Sequence, residues 1–320
     1  MSSPPTLREW LTAGPFAMSI GQGFGCEFAS LGAVQGMVGA FGGIEAIFRA
    51  HLTAVSGASS GAKIAALIAQ PSLSLSDAAQ ILLKIRATDL FLSDSAFSAL
   101  RRGGLCGGEP IIKLMESFWG KGLLIEALPT AFGTTAFNLD SRESVKLLTG
   151  DLARACQASG SFPGVFAPIY HQGSRLWDLA GYYDPAGVEG LPEVAFRGTH
   201  RLLQVVNGDW NLKRFIVKKP SDIASVNCTE VVSVVMQNHT KVVPLLWPGW
   251  STRAHRAFHE AKFSVDAALD KPLTPGSEPG HFLCLVEPPN QDTTPKAAIA
   301  ATGIAIAIAY LLLGGGAAGL

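Results

Sequence analysis

The chain has 320 residues, enough to bury a substantial core as one large domain or two small ones. Lys and Arg number 25 and Asp and Glu 25, so the formal net charge is +0, without the basic excess of a polynucleotide-binding surface. Hydrophobic residues reach 48% and charged residues only 16%, which excludes disorder over most of the length and points to an apolar partner, lipid or protein.

The opening MSSPPTLREWLTAG has two prolines and no apolar run of signal-peptide length, so no secretory signal is expected. The sequons at Asn227 and Asn238 then carry little weight. PFAMSI, from Pro15 to Ile20, reads as a short apolar strand, GQGFG from Gly21 to Gly25 as a glycine turn, and FASLGAVQGMVGAF as a helix. A second unit follows: LTAV from Leu52 as a strand, SGASSG as a tight turn, and AKIAALIAQ from Ala62 to Gln70 as a helix ending before Pro71. Two such units in succession imply an α/β architecture. Residues 76–126 read as helices interrupted by RRGGLCGGEP, a flexible loop rather than an anion site. TTAFNL near Thr134 and RLLQVV from Arg201 to Val206 are further strands. KPLTPGSEPG from Lys271 and EPPNQDTTPK from Glu287 read as connectors, and there is no internal repeat. After Lys296 the chain is uncharged, and residues 297–320 are read either as a membrane anchor or as a buried tail.

Cys26, Cys106, Cys156, Cys228 and Cys284 form no CxxC pair and are expected as buried thiols in a reducing compartment. His255 and His259 share a helix face, but Arg256 stands where a zinc-binding HExxH has its Glu, so a solvated or interfacial helix is expected rather than a metal site. Trp247 and Trp250 precede Arg253, Arg256 and Lys262, an interleaving that suits either a lipid-facing patch or core tryptophans beside a basic face.

Three features carry chemistry. Gly57 to Gly61 spell GxSxG, in which glycines allow the central Ser59 to sit on a strained strand-to-helix turn with its Oγ projecting; an ordinary Gly/Ser turn is the alternative. Gly21, Gly23 and Gly25 offer backbone N–H groups at a helix N-terminus, able to hold an oxyanion; a phosphate loop would want GK[ST], and Cys26 breaks GxGxxG. LWDLAGYYDPAG, from Leu176 to Gly187, places Asp178 and Asp184 in a turn, where an Asp within reach of a serine acts as its base or else serves the backbone.

In this order and spacing the three features resemble the patatin-like phospholipase family, from about residue 14 to about 208. FAMSIGQGFGCEFASLGAVQGM is similar to its opening strand, loop and helix, LTAVSGASSGA to its elbow, and ACQASGSFPGVFAPI to the segment before its catalytic Asp. The resemblance implies a patatin-like sandwich, a central, mostly parallel sheet flanked by helices, over residues 10–290, with 291–320 as linker and tail. It implies Ser59 as nucleophile, Asp178 as its partner, and the N–H groups of Gly21, Gly23 and Gly25 as the oxyanion hole. The activity implied is acyl hydrolysis of phospholipid, lysophospholipid or glyceride, with no cofactor or metal, by an intracellular protein at a membrane surface. Two departures stand out. Cys26 and Glu27 follow Gly25 where the family has Arg or Lys then Gly, and the Asp-Gly-Gly turn appears as Asp178-Leu179-Ala180-Gly181. An alignment that puts Leu179 in the Asp position would make the chain a lipid-binding relic instead. A Ser-acid-His triad drawing on His200, His239, His255, His259 or His281 has no supporting loop motif.

Overall fold

A computed structural model describes residues 3–23, 25–91, 103–178, 184, 186–208, 217–240, 242 and 249–288. After a capped first helix, α1 (Leu7–Thr12), strand β1 (Phe16–Ile20) is buried at all five positions, as a central parallel strand covered on both faces must be. The glycine turn leads into α2 (Glu27–Val38), and α3 (Glu45–Ala50) returns the chain to β2 (Leu52–Gly57), which pairs in parallel with β1. Helix α4 (Ser60–Ala69) opens directly from the elbow.

Helices α5 (Leu75–Lys84) and α6 (Ala87–Leu90) occupy the region expected to be helical. Within the expected glycine-rich loop, Gly104–Cys106 is instead a short strand, β3, followed by α7 (Glu109–Trp119). Then come β4 (Ala131–Asn138), β5 (Glu143–Leu147), α8 (Leu152–Ser159), β6 (Gly164–Phe166), β7 (Ile169–His171) and β8 (Ser174–Trp177). The chain continues through β9 (Arg201–Asn207), β10 (Glu230–Met236) and α9 (Trp250–Ala268) to β11 (Thr274–Pro275) and β12 (His281–Val286).

The main sheet runs β11-β12-β10-β9-β1-β2-β4-β8-β7, with β5 also on β4, and the strands from β12 to β4 are mutually parallel. The antiparallel pairs lie at its margins, so the sheet is mixed α/β with a parallel centre, as expected. Part of the connector expected at Lys271–Gly280 pairs as β11, because Thr274 and Pro275 close an edge against Leu283 and Phe282. The sheet turns its connections in opposite directions on either side of β1, and crevices at such a switch point, beyond the carboxyl ends of the strands, are where α/β folds place ligands.

Helix α9 packs on α2 at backbone distance. A Cβ on Gly32 would come 2.1 Å from the carbonyl oxygen of Phe258, and one on Gly36 2.7 Å from that of Lys262. All five cysteines are buried free thiols; burial pushes those of Cys228 and Cys284 up to about 11.

Candidate functional site

The elbow is built by close approach. A side chain on Gly57 would begin 2.3 Å from the carbonyl oxygen of Gly61, and one on Gly61 2.2 Å from that of Ile20, so neither position accepts a Cβ. Between them Ser59 takes φ 56° and ψ −120°, a conformation rarely adopted by any residue except glycine. Hydrogen bonds hold it there: Ala58 N–H donates to Ile20 O at 3.1 Å, and Ser59 N–H to Ser159 Oγ at 2.9 Å. Ser56 Oγ donates to Gly187 O at 2.5 Å, so the segment after Asp184 braces the turn from the other side.

Asp178, at the end of β8, is buried. Its N–H donates to Ser161 O at 2.9 Å. The stretch Ser159–Ser161 therefore holds the backbone of Ser59 through one residue and that of Asp178 through another two positions on. Ser161 is itself fixed, its Oγ donating to Gln157 O at 2.7 Å and accepting from Gln157 Nε2 at 3.2 Å. The sequence pattern gives Ser159 and Ser161 no role on its own; two serines flanking a glycine, the second one turn after Gln157, are the signal.

Ser59 and Asp178 line one cavity together with Gly25, Glu27, Lys63 and Gly160. Most of the remaining lining is apolar, with Leu67, Ile111, Met115, Phe118, Phe166 and Trp250 among the side chains. It encloses about 960 Å³ free of protein atoms, its open mouth included. Trp250 is thus a cavity residue, its Nε1 donating to Ile85 O at 2.9 Å and its ring edge-on to Phe28. Trp247 lies outside the described residues.

The glycine turn meets the same cavity, but its three glycines are not equivalent. Gly21 N–H donates to Val205 O at 2.8 Å, extending the β1–β9 ladder, so Gly21 has no N–H left for an oxyanion and the expectation for it is corrected. Gly25 sits at φ +73°, and a Cβ there would lie 2.4 Å from Val242 O. The carbonyls of Gly23 and Gly25 are tied down, the first by Cys26 N–H and Ser60 Oγ, the second by Val242 N–H. Among the described residues no acceptor takes the N–H of either.

Asp184 is fully buried, away from the cavity lining. Desolvation raises its carboxyl to about 6, opposed in part by the Glu189 and Gly190 N–H groups and by Thr135 Oγ1, which donates at 3.3 Å. Residues 179–183 and 185 lie outside the described residues, so the reading that sets Leu179 in the Asp position rests there.

Among the described residues no group of three or more His, Cys, Asp or Glu is placed to hold a metal ion. The His255 and His259 rings stack at 6.2 Å, and Arg256 pairs with Glu260. No helix among the described residues is long and apolar enough to cross a membrane, and the tail at 297–320 lies outside them.

The sequence profile described as patatin-like phospholipase matches residues 22–191. No curated protein matches the chain in a sequence comparison. Among solved structures, that of VipD from Legionella pneumophila is similar at 14% identity with a TM-score of 0.44, over 80% of this chain and 67% of that one. The type III effector protein ExoU is similar at 16% identity with a TM-score of 0.46, over 84% of this chain and 54% of that one. The chain thus spans about two thirds of the first and about half of the second.

Proposed function

The chain belongs to the patatin-like phospholipase family, and on that premise we propose that it is a serine hydrolase of lipid acyl esters acting through Ser59 and Asp178. The observation that carries the proposal is the strained Ser59 in the wall of one cavity with the buried Asp178, a cavity whose largely apolar lining suits an acyl chain. The proposal takes residues 10–290 as the catalytic domain and a lipid surface as the place of work.

In this reading the ester carbonyl lies over Ser59 Oγ with its acyl chain between Met115, Phe118 and Phe166. Asp178 accepts the hydroxyl proton as Oγ attacks the carbonyl carbon. The N–H groups of Gly23 and Gly25, at the N-terminal end of α2, stabilise the tetrahedral oxyanion. Collapse expels the alcohol, which takes the proton from Asp178. Water, deprotonated by the same carboxylate, then attacks the acyl-enzyme; the fatty acid is released as Asp178 returns the proton to Ser59 Oγ.

The test is fluorophosphonate labelling of the purified protein beside Ser59→Ala and Asp178→Asn. Labelling should vanish in the first and fall by about 100-fold or more in the second, the usual range for losing a general base. A folded parent that does not label, or a Ser59→Ala that labels equally, removes the nucleophile and leaves the lipid-binding relic as the better reading.

A further inference from the structure

Lys63 is the sole charged residue among the ten of α4, SGAKIAALIA. Two forces oppose a lysine there. It lies just past the first turn of the helix, where the aligned peptide dipoles repel a cation, and it is partly withdrawn from water beside an apolar wall. No hydrogen bond or ion pair offsets these costs among the described residues. Its place is set by helix spacing, because four residues after Ser59 it shares that residue's face and enters the same cavity. Gly160 makes room for it: a side chain at 160 would begin 3.0 Å from Lys63 Nζ and 3.2 Å from Cε. The ammonium therefore borders the Ser159–Ser161 stretch that holds Ser59 and Asp178, at the reacting end of the cavity.

We propose that Lys63 is a specificity-determining residue that favours an ester with a phosphate group a few bonds from the scissile carbonyl over a neutral ester. The assignment rests on the acyl-hydrolase reading of Ser59. In a glycerophospholipid the phosphate sits on the glycerol carbon next to an ester-bearing one, so with that ester over Ser59 it falls within the sweep of a four-carbon lysine stem. A diacylglycerol offers only a hydroxyl there. Lysine suits the task as a mobile point charge that tolerates varied headgroup poses.

The experiment separates binding from turnover. In Ser59→Ala protein, a dialkyl-ether phosphatidic acid, the matching dialkylglycerol and inorganic phosphate are each titrated in detergent micelles, with the fluorescence of cavity residues Trp119 and Trp250 as signal. The ether phosphatidic acid should bind about tenfold tighter than the dialkylglycerol, the effect of one charge-assisted contact. Adding Lys63→Met should bring that ratio near one, and Lys63→Arg should restore it. A ratio near one before the change, or one that Lys63→Met does not move, overturns the proposal. Inorganic phosphate binding as tightly as the lipid also overturns it, making this a free-anion site.

In the active chain, Lys63→Met should lower the kcat/KM ratio of phospholipid to neutral ester about tenfold, chiefly through the phospholipid KM. An equal fall in kcat on both substrates would instead tie Lys63 to the reacting serine and overturn the assignment. If no ester is cleaved while the binding ratio holds, the hydrolase reading fails and the ester-selecting role falls with it, leaving Lys63 only as a phosphate contact of a lipid-binding cavity.

Discussion

The β1–loop–α2 and β2–elbow–α4 units share one design, a buried parallel strand ending in a tight turn at a helix N-terminus, and both reach the same cavity. They differ in which residue takes the unusual backbone. In the first it is Gly25, at φ +73°, which adopts that conformation without penalty. In the second it is Ser59, at φ 56°, where the conformation costs on the order of 1–3 kcal/mol. The first turn presents main-chain N–H groups and needs no side chain; the second holds a side chain where glycine would be more comfortable. A turn required only for chain reversal would not keep a serine there, and the contrast supports the role proposed for the Ser59 hydroxyl.

The most severe way to probe this contrast is Ser59→Ala. It should leave the circular dichroism spectrum unchanged and lower kcat/KM on a soluble nitrophenyl ester by about 10⁴-fold or more, the scale of losing a serine nucleophile. Gly25→Ala attacks the other turn through both its φ and the 2.4 Å approach to Val242 O. A loss of about 3–4 kcal/mol is expected in urea unfolding, and a loss under 1 kcal/mol would show that the glycine turn is not under the constraint described.

A third experiment concerns Asp184, whose chain segment braces the elbow through Gly187. Its folded carboxyl is raised to about 6, above its ordinary value, so between those two values the folded state holds the extra proton. Stability contributed by Asp184 is therefore full at low pH and is lost as pH rises through about 6. Asp184→Asn should unfold nearly like the parent at pH 4. It should exceed the parent by on the order of 2 kcal/mol at pH 7.5, read from denaturant midpoints. The smallest effect belongs to Ser59→Gly, which should gain about 1 kcal/mol over Ser59→Ala by relieving the turn. Equal stability of the two would remove the strain from the comparison.

The two units and their order were legible because close packing leaves a mark in composition: Gly57 and Gly61 are glycines since backbone oxygens occupy the space of their Cβ atoms. The placement of Asp178 after a strand end was legible because the apolar run before it ends at Trp177. What stayed hidden depends on partners distant in sequence. Gly21 looks like Gly23 and Gly25 until β9 pairs with β1 and takes its N–H. Strand β10, the run EVVSVVM, has no glycine in the residues just before it to mark it off, and β11 lies inside a proline-rich stretch that composition assigns to a connector. Ser159 and Ser161 gain their roles only when α8 is set beside the elbow. Lys63 reads as one lysine in a helix until the cavity shows what it faces.

Strand β1 is made first and ends at the centre of the sheet, hydrogen-bonded on one side to β2, which follows soon after, and on the other to β9 at Arg201–Asn207. At roughly 5–20 residues per second a ribosome would need on the order of 10–40 s to deliver that second neighbour. Throughout that interval an apolar strand edge stands open, a template for wrong pairing. The stretch 22–191, over which the family is recognised, contains neither β1 nor β9. Expressed alone, that stretch would have no central strand around which to close; nascent chains halted before β9 should need a chaperone, and productive folding should wait for the later strands.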